Sequence, residues 1–468
     1  MTEIDITSTS IEETKVTTPS VPVPVLLVAR TPMDATAVDR CRLSANFTVG
    51  RKADNSLTVR DQKISGHHFR IFVDGNHFYV EDVGSTNGTY LDGERLTEKV
   101  ALYNHAVIRA GHTVMVFHGD GERFLTPPPL DRYGMAGQFH VTQILKHIEE
   151  AALSKRHLLI AGPSGTGKEL AAKAIATIIS ESMGKQIPYI EHNAARFTSE
   201  EEATSNLFGV GTRVFSNVNP RPGLIEQAEG GVLFLDEIHN LTERVQRSLL
   251  RVIEDSKYAR IGETQTRVTN IRFVMASNAP DPYHSMAHDL FARLRLISIP
   301  PLSERRADIP TIFDHVLAQK LAGYDIPLMS VLPCLKGDHY ALLCQDAFPA
   351  DNVRGLIDLA DRISTKIASD TSPAEAVAKI FSKRFNKKKP QTRAGTPPAA
   401  PLVPSQPLVE PTDDAANSTY DKYKDVIIAT YKDREENISA TMRALNARGI
   451  SCSRRWLSVY LKRWGLKE

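Results

Sequence analysis

Apolar and polar positions change rhythm several times along the chain. From Met1 to about Pro24, Thr, Ser, Val and acidic residues follow one another with no period able to bury a face, which predicts a disordered tail over 1–24. Between Val25 and about Leu125 short apolar runs alternate with turn signals. Phe69-Arg70-Ile71-Phe72-Val73 and Phe78-Tyr79-Val80 flank Asp74-Gly75-Asn76, a hairpin in an all-β module over 25–125. Past Pro127-Pro128-Pro129 the period lengthens, and apolar residues at 141, 144, 145 and 148 predict a helix from Val141 to Ala152 that opens a new domain. Two continuous apolar runs follow, Leu158 to Ala161 and Val232 to Leu235. The second reads as a buried parallel strand ending in two carboxylates at the sheet's carboxyl edge, ahead of an amphipathic helix over Leu241 to Glu254.

The last part of the chain changes texture again. Lys387-Lys388-Lys389 precede prolines at 390, 397, 398, 401, 404, 407 and 411, so 385–417 is an extended linker that buries no core. Beyond it, 420–468 resolves into three helical stretches, about Asp421–Lys432, Asn437–Ala447 and Ser453–Trp464, with Gly449 in the last turn. From Asn437 onward seven Lys or Arg face one acidic residue. A short helix, a Gly turn and a basic helix describe a helix-turn-helix whose second helix would enter a DNA major groove. Ser453, Arg454, Arg455 and Lys462 are its candidate DNA contacts; a small oligomerising bundle is the alternative.

Composition narrows the class. At 468 residues the chain predicts roughly two to four domains. Its 41% hydrophobic and 24% charged content is that of a globular protein, and the net charge of +2 means any nucleic-acid surface is local. Four dispersed cysteines, Cys41, Cys334, Cys344 and Cys452, form no C-x-x-C pair and argue against a disulfide framework or a zinc site. With no export signal and no apolar run near the ~18 residues of a membrane span, a cytoplasmic protein is expected, neither exported nor embedded.

Two stretches carry chemistry in the middle of the chain. Gly162-Pro163-Ser164-Gly165-Thr166-Gly167-Lys168-Glu169 fits G-x-x-x-x-G-K, a loop whose N–H groups converge on phosphate at a helix N-terminus while Lys168 reaches the outer phosphates. Glu169 stands where Ser or Thr usually meets Mg²⁺. The second stretch, Gly230 to Glu237, delivers Asp236 to organise Mg²⁺ and Glu237 to polarise an attacking water. Together they predict an ATP-binding nucleotide-hydrolase core.

Three loop clusters stand out in the β module: Gly50-Arg51, Ser65-Gly66-His67-His68 and Gly84-Ser85-Thr86-Asn87-Gly88-Thr89. An Arg, a Ser hydroxyl and an Asn amide gathered by loops suit a phosphate and the backbone of an extended peptide. Ser65 and Asn87 acting only as turn caps is the alternative. The order resembles the forkhead-associated (FHA) domain, through Gly50-Arg51, Ser65 with His68, and Asn87-Gly88. The resemblance implies that Arg51 and Ser65 contact a phosphothreonine, that Asn87 holds the peptide main chain, and that His68 is structural. The Thr-rich tail, at Thr17 or Thr18, is a candidate ligand within the same chain.

The region from about Phe139 to Ser364 resembles the AAA+ domain of the sigma-54-dependent transcriptional activators. The matched stretches are Gly162 to Glu169, Asn193-Ala194-Ala195, Leu207-Phe208-Gly209, Arg221 to Ala228, Phe234 to Ile238, Pro300 to Ile309 and Asn352-Val353-Arg354. The resemblance implies an α/β P-loop ATPase subdomain over 139–310 and a helical lid over 311–384. It implies ATP contacts from Gly162, Gly165, Thr166, Gly167, Lys168 and Glu169, a γ-phosphate sensor at Asn278 and another at Arg354. Asn193 would couple Glu237 to the nucleotide state, and Arg293 would reach a neighbour's ATP in a ring, usually a hexamer. The basic tail resembles the Fis-type domain that closes the same activators.

Two departures from the family matter. Its sigma-gripping loop reads G-A-F-T-G-A, and here only Phe215, with Ser216 for Thr, remains between Gly209 and Pro222. The first of its two finger arginines falls on Ala287, leaving Arg293 alone. The reading is therefore a multidomain transcription regulator: an all-β FHA sandwich, an α/β ATPase with a helical lid, and an all-α DNA-binding tail. Its partners are DNA, a phosphothreonine protein and sigma-54 polymerase. A regulator that bypasses sigma-54, and a phosphopeptide scaffold with a purely structural ATPase, stay open.

Overall fold

The computed structural model describes residues 22–32, 39–75, 77–126, 133–211, 220–385 and Tyr431. The chain divides into two units, Met1–Lys389 and Pro390–Glu468. The triple proline, most of the linker and the helix-turn-helix contacts Ser453, Arg454, Arg455 and Lys462 lie outside the described residues.

Within the first unit, the amino-terminal module is two β-sheets face to face. One runs in the order Arg40–Arg42, Val25–Arg30, Thr113–His118, Val107–Ala110, Thr89–Leu91, Glu94–Arg95; the other Leu57–Thr58, Asn46–Gly50, Phe69–Asp74, His77–Asp82, Val100–Ala101. The expected hairpin is there, with Phe69 opposite Asp82 and Asp74 opposite His77. Strand alternation explains why Val25–Arg30 is apolar at nearly every position. Leu26 and Val28 point into the core between the two sheets, whereas Val25, Leu27 and Ala29 point the other way. Thr113–His118 does the same, with Met115 and Phe117 inward and Val114 and Val116 outward.

That outward face is covered by the next module. Val25, Leu27, Val114 and Val116 join one continuous core with Phe139, Ile144, Ile148, Phe313, Leu317 and Tyr340. Val23 belongs to this core too, and its carbonyl accepts Gly121 N–H at 2.8 Å. The tail expected over 1–24 therefore ends earlier, because Val23 and Pro24 already form part of the packed body.

The second module has a parallel sheet in the order Tyr189–Asn193, Val232–Asp236, Arg272–Ser277, Leu158–Ala161, Arg295–Ser298. Its two central apolar strands are buried on both faces, as their uninterrupted hydrophobic sequences require. The helix expected from Val141 runs His140–Leu153. The one expected from Leu241 starts instead at Glu243, because Thr242 caps it through Val245 N–H and leaves Leu241 buried beneath. Helices Ile309–Ala322, Gly337–Asp346, Val353–Ala368 and Pro373–Phe385 form the lid.

A single turn ties these parts together. Arg305 donates to Thr166 O at 2.7 Å, and Arg306 pairs with Asp92 at 3.6 Å and reaches His105 O at 3.4 Å. Asp308, wholly buried, accepts the N–H groups of Gln138, Phe139 and Val141 at 2.8, 2.7 and 3.0 Å. Among the described residues no helix is long and apolar enough to cross a membrane, and no group of three or more His, Cys, Asp or Glu is placed to hold a metal ion by itself.

Candidate functional site

The loop after Leu158–Ala161 lies at the carboxyl edge of the sheet and runs into helix Lys168–Ser182. The first N–H groups of that helix lack helical partners and favour an anion. Gly165 has φ +75°, and a Cβ there would collide with the carbonyl of Asp351 from the lid, so only glycine fits. Lys168 is 8% exposed and donates to the carbonyls of Gly162 at 2.8 Å and Pro163 at 3.1 Å. Thr166 donates to Pro163 O at 2.9 Å, and Glu169 turns outward to pair with Lys173 at 2.6 Å.

Asp236 ends strand Val232–Asp236, which Arg272–Ser277 separates from Leu158–Ala161, and lies level with Asn193. Burial raises its pKa, opposed by the Glu237 N–H, which it accepts at 2.9 Å, and by the charge of Lys168. Burial lowers that of Lys168, opposed by Asp236. Each group thus steadies the other's ionised form.

Glu237 sits in the left-handed region at φ +53°. Its carboxylate accepts from Asn278 at 3.2 Å, and its carbonyl accepts from Asn240, also at 3.2 Å. Asn193, expected to couple Glu237 to the nucleotide state, uses its side-chain oxygen here to accept Ala195 N–H at 2.9 Å as a helical cap. Arg354 reaches Ser164 Oγ at 3.0 Å, beside the loop. Arg293 is 60% exposed and pairs with Glu254 at 2.8 Å. Phe215 and Ser216 lie outside the described residues; Gly209–Val210 and Arg221–Pro222 pair at the base of their loop.

Sequence reasoning gave no role to Arg305 or Asn352. Arg305 is 2% exposed and fixes the glycine loop from behind through Thr166 O. Asn352 donates to Ser164 O at 2.9 Å and accepts from Leu302 N at 2.9 Å. Both lie in motif stretches already noted, where a polar residue that the fold buries would have been the signal.

The second cradle lies at one end of the β-sandwich. Ser65 Oγ accepts Thr86 N–H at 3.0 Å, Ser65 O accepts Arg51 N–H at 2.9 Å, and Asn87 Nδ2 donates to Lys63 O at 2.7 Å. Arg51, Ser65 and Asn87 are thereby gathered on adjoining loops. His68 is buried between them: its Nδ1 accepts Ser65 N–H at 2.9 Å, which leaves Nε2–H facing Gly88 O at 3.3 Å. Burial lowers its pKa and keeps it neutral in that tautomer.

Asp82, which the sequence reading missed, organises the 84–89 loop. Its carboxylate accepts from Gly84 N, Ser85 N, Ser85 Oγ, Thr89 N and Thr89 Oγ1 at 2.6–2.9 Å. Burial works against its ionisation, yet the bonds from Ser85 and Thr89 prevail and bring its pKa to about 2. An Asp two residues before Gly-Ser-Thr-Asn-Gly-Thr is an Asx-turn signal that could have revealed it.

Comparison with known proteins finds a family match within each module. The family described as "Sigma-54 interaction domain" matches residues 135–300, and the family described as "FHA domain" matches residues 47–111. The C4-dicarboxylate transport transcriptional regulatory protein DctD of Rhizobium meliloti is 34% identical over 247 residues, covering 50% of this chain and 50% of its own. The Nif-specific regulatory protein of Herbaspirillum seropedicae is 32% identical over 236 residues, covering 49% and 42%. Among solved structures, NtrX from Brucella abortus in complex with ADP is 25% identical, covers 69% of this chain and 68% of its own, and aligns with a TM-score of 0.46. The chain spans half or less of the length of these two curated relatives.

Proposed function

We propose that this chain, whose residues 47–111 match the FHA domain and 135–300 the sigma-54 interaction domain, is an ATP-driven bacterial transcription regulator gated by phosphothreonine recognition. The carrying observation is the convergence of Lys168, Asp236 and an amide-held Glu237 at one sheet edge. The residues fit a nucleoside triphosphate with its divalent ion: a glycine loop at a helix N-terminus, a buried cation and a carboxylate at the strand end. When bound, ATP supplies the transferable γ-phosphoryl group and Mg²⁺ neutralises its charge.

The chain's own residues then divide the work. Lys168, now on the carbonyls of Gly162 and Pro163, would hold phosphate oxygens, and Asp236 would hold the divalent ion. Glu237 accepts a proton from water while Asn278 fixes its carboxylate. Arg354, tied through Ser164 to the loop, senses nucleotide from the lid. Arg293 serves a neighbouring subunit's site; its exposed pairing with Glu254 is cheap to break, at about 0–1 kcal/mol. The protein works in the cytoplasm as a homo-oligomeric ring, and its basic tail, through Ser453, Arg454, Arg455 and Lys462, delivers it to DNA. Arg51 and Ser65 bind the phosphate of a phosphothreonine partner, and Asn87 holds its main chain.

ATP turnover compared with that of Glu237→Gln tests the enzyme: turnover should collapse on substitution while nucleotide binding survives. Equal turnover in both proteins would leave the ATPase fold structural. Sigma-54 capture in the presence of a transition-state analogue tests the partner. The degenerate loop around Phe215 and Ser216 favours a second reading, a regulator that binds ATP and DNA without engaging sigma-54, and failed capture with intact turnover would select it.

A further inference from the structure

Resting on the reading above, we propose that the FHA domain acts on the nucleotide cradle while docked, through one unbroken chain of contacts from Asn87 to Gly165. The chain begins where the phosphopeptide would bind. The Asn87 amide is spent on Lys63 O at 2.7 Å. A peptide main chain competing for that amide releases the Lys63 carbonyl.

Lys63 is in turn tethered to the interior. Its N–H donates to Asp61 Oδ1 at 2.9 Å, while Asp61 Oδ2 accepts from His112 N at 2.6 Å and Thr113 Oγ1 at 3.2 Å. Asp61 is buried, so dropping either set of bonds is costly and a shift in the loop is passed on. Gly111 leaves no slack, since a Cβ on it would lie 2.8 Å from Asp61 Oδ2 and 2.9 Å from Lys63 Cβ.

The next contact crosses between modules. His112 lies against the first residue of lid helix Gly337–Asp346: a Cβ on Gly337 would lie 2.5 Å from His112 Cα, and Gly337 N–H points at His112 Nδ1 at 3.5 Å. Backbone presses on backbone there, with no flexible side chain to absorb a displacement. Arg109 pairs with Asp338 at 3.5 Å on the same turn. At its other end this helix leads through Ala347 and Phe348, both at φ +46°, into the turn that covers the glycine loop. There Val353 N–H donates to Gly165 O at 2.9 Å and Asn352 to Ser164 O at 2.9 Å. The Arg305–Asp308 turn, bonded to both modules, supplies the fixed point against which the lid helix moves.

A ligand at either end must then alter the other by the same factor. The test uses the full-length protein, a pool of phosphothreonine peptides with its unphosphorylated control, and a non-hydrolysable imido analogue of ATP. The peptide pool should change the analogue's Kd by about fivefold or more, and the analogue should change the peptide Kd equally. Gly337→Ala, which forces the lid helix off His112, should keep both separate affinities and bring the factor to about one. Asp61→Ala cuts the same chain from the FHA side and should also abolish the coupling. Two bound ligands with no coupling in the wild type, or undiminished coupling in Gly337→Ala, overturn this inference alone. Failure of either ligand to bind overturns the functional reading and this inference with it.

Discussion

On the proposed reading the two cradles of this protein face the same chemical problem, holding phosphate, and solve it in opposite ways. The FHA cradle presents side chains, with Arg51 and Asn87 exposed on loops that Asp82 and His68 hold from beneath. The nucleotide cradle presents main chain, and its lysine is buried and bonded to the carbonyls of its own loop. The first is a rigid rim around an open surface. The second is a covered loop whose lysine must change partners before it can serve. Recognition of a protein segment needs access from outside, whereas phosphoryl chemistry needs charge kept from water, and burial follows that division.

Substitutions that exploit the contrast should differ in size and in kind. The largest effect is expected from Lys168→Ala, which should lower ATP turnover by about 10²–10³-fold, read by phosphate release, with the peptide Kd unmoved. Next, Asp82→Ala strips five hydrogen bonds from the 84–89 loop and should cost about 3 kcal/mol in urea unfolding while abolishing peptide binding. If peptide affinity survived, the rim would not depend on its support. Arg51→Ala, by contrast, should weaken peptide binding by about tenfold or more in a calorimetric titration and leave the unfolding midpoint where it was.

The remaining effect is read against pH and concerns the seam between the modules. His105 is held near pKa 4 by burial and the charges of Arg306 and Arg123, and His118 near 3 by burial and the neighbouring His105 and Arg123. Both values are depressed below 6.5, so the neutral rings' full contribution is present above pH 6.5 and is lost as pH falls through the folded values. Each ring should add a slope of up to about 1.4 kcal/mol per pH unit below 6.5. His118→Phe should flatten the fall of stability between pH 6 and 4 in urea titrations, and an unchanged slope would count against the assignment.

What was legible beforehand was what is local. The glycine loop, the apolar strand ending in Asp236-Glu237 and the loops at Arg51, Ser65 and Asn87 announce themselves because a few adjacent residues must act together. Pairings between distant segments left no such mark. Asp308 reaches back to Gln138, Phe139 and Val141, and Arg30 pairs with Asp314; neither link has a period or a motif. The sequence did contain a hint of the seam in Val25-Leu26-Leu27-Val28-Ala29. A strand of a sandwich with one wet face would alternate, and this one does not. Asn193 shows another limit: resemblance gave it the task of coupling Glu237 to the nucleotide state, and the sequence did not show that its side chain also closes a local cap.

The sheet that contains Val25–Arg30 and Thr113–His118 has no face turned to water along those strands. An engineer who treated sensor and motor as interchangeable parts would find the cut exposing Val114, Val116 and Leu27 on one piece and Ile144, Ile148 and Phe313 on the other. Both fragments would be sticky, and a new sensor would succeed only if it brought a matching greasy sheet. Whatever the amino-terminal module does, it has been welded in place.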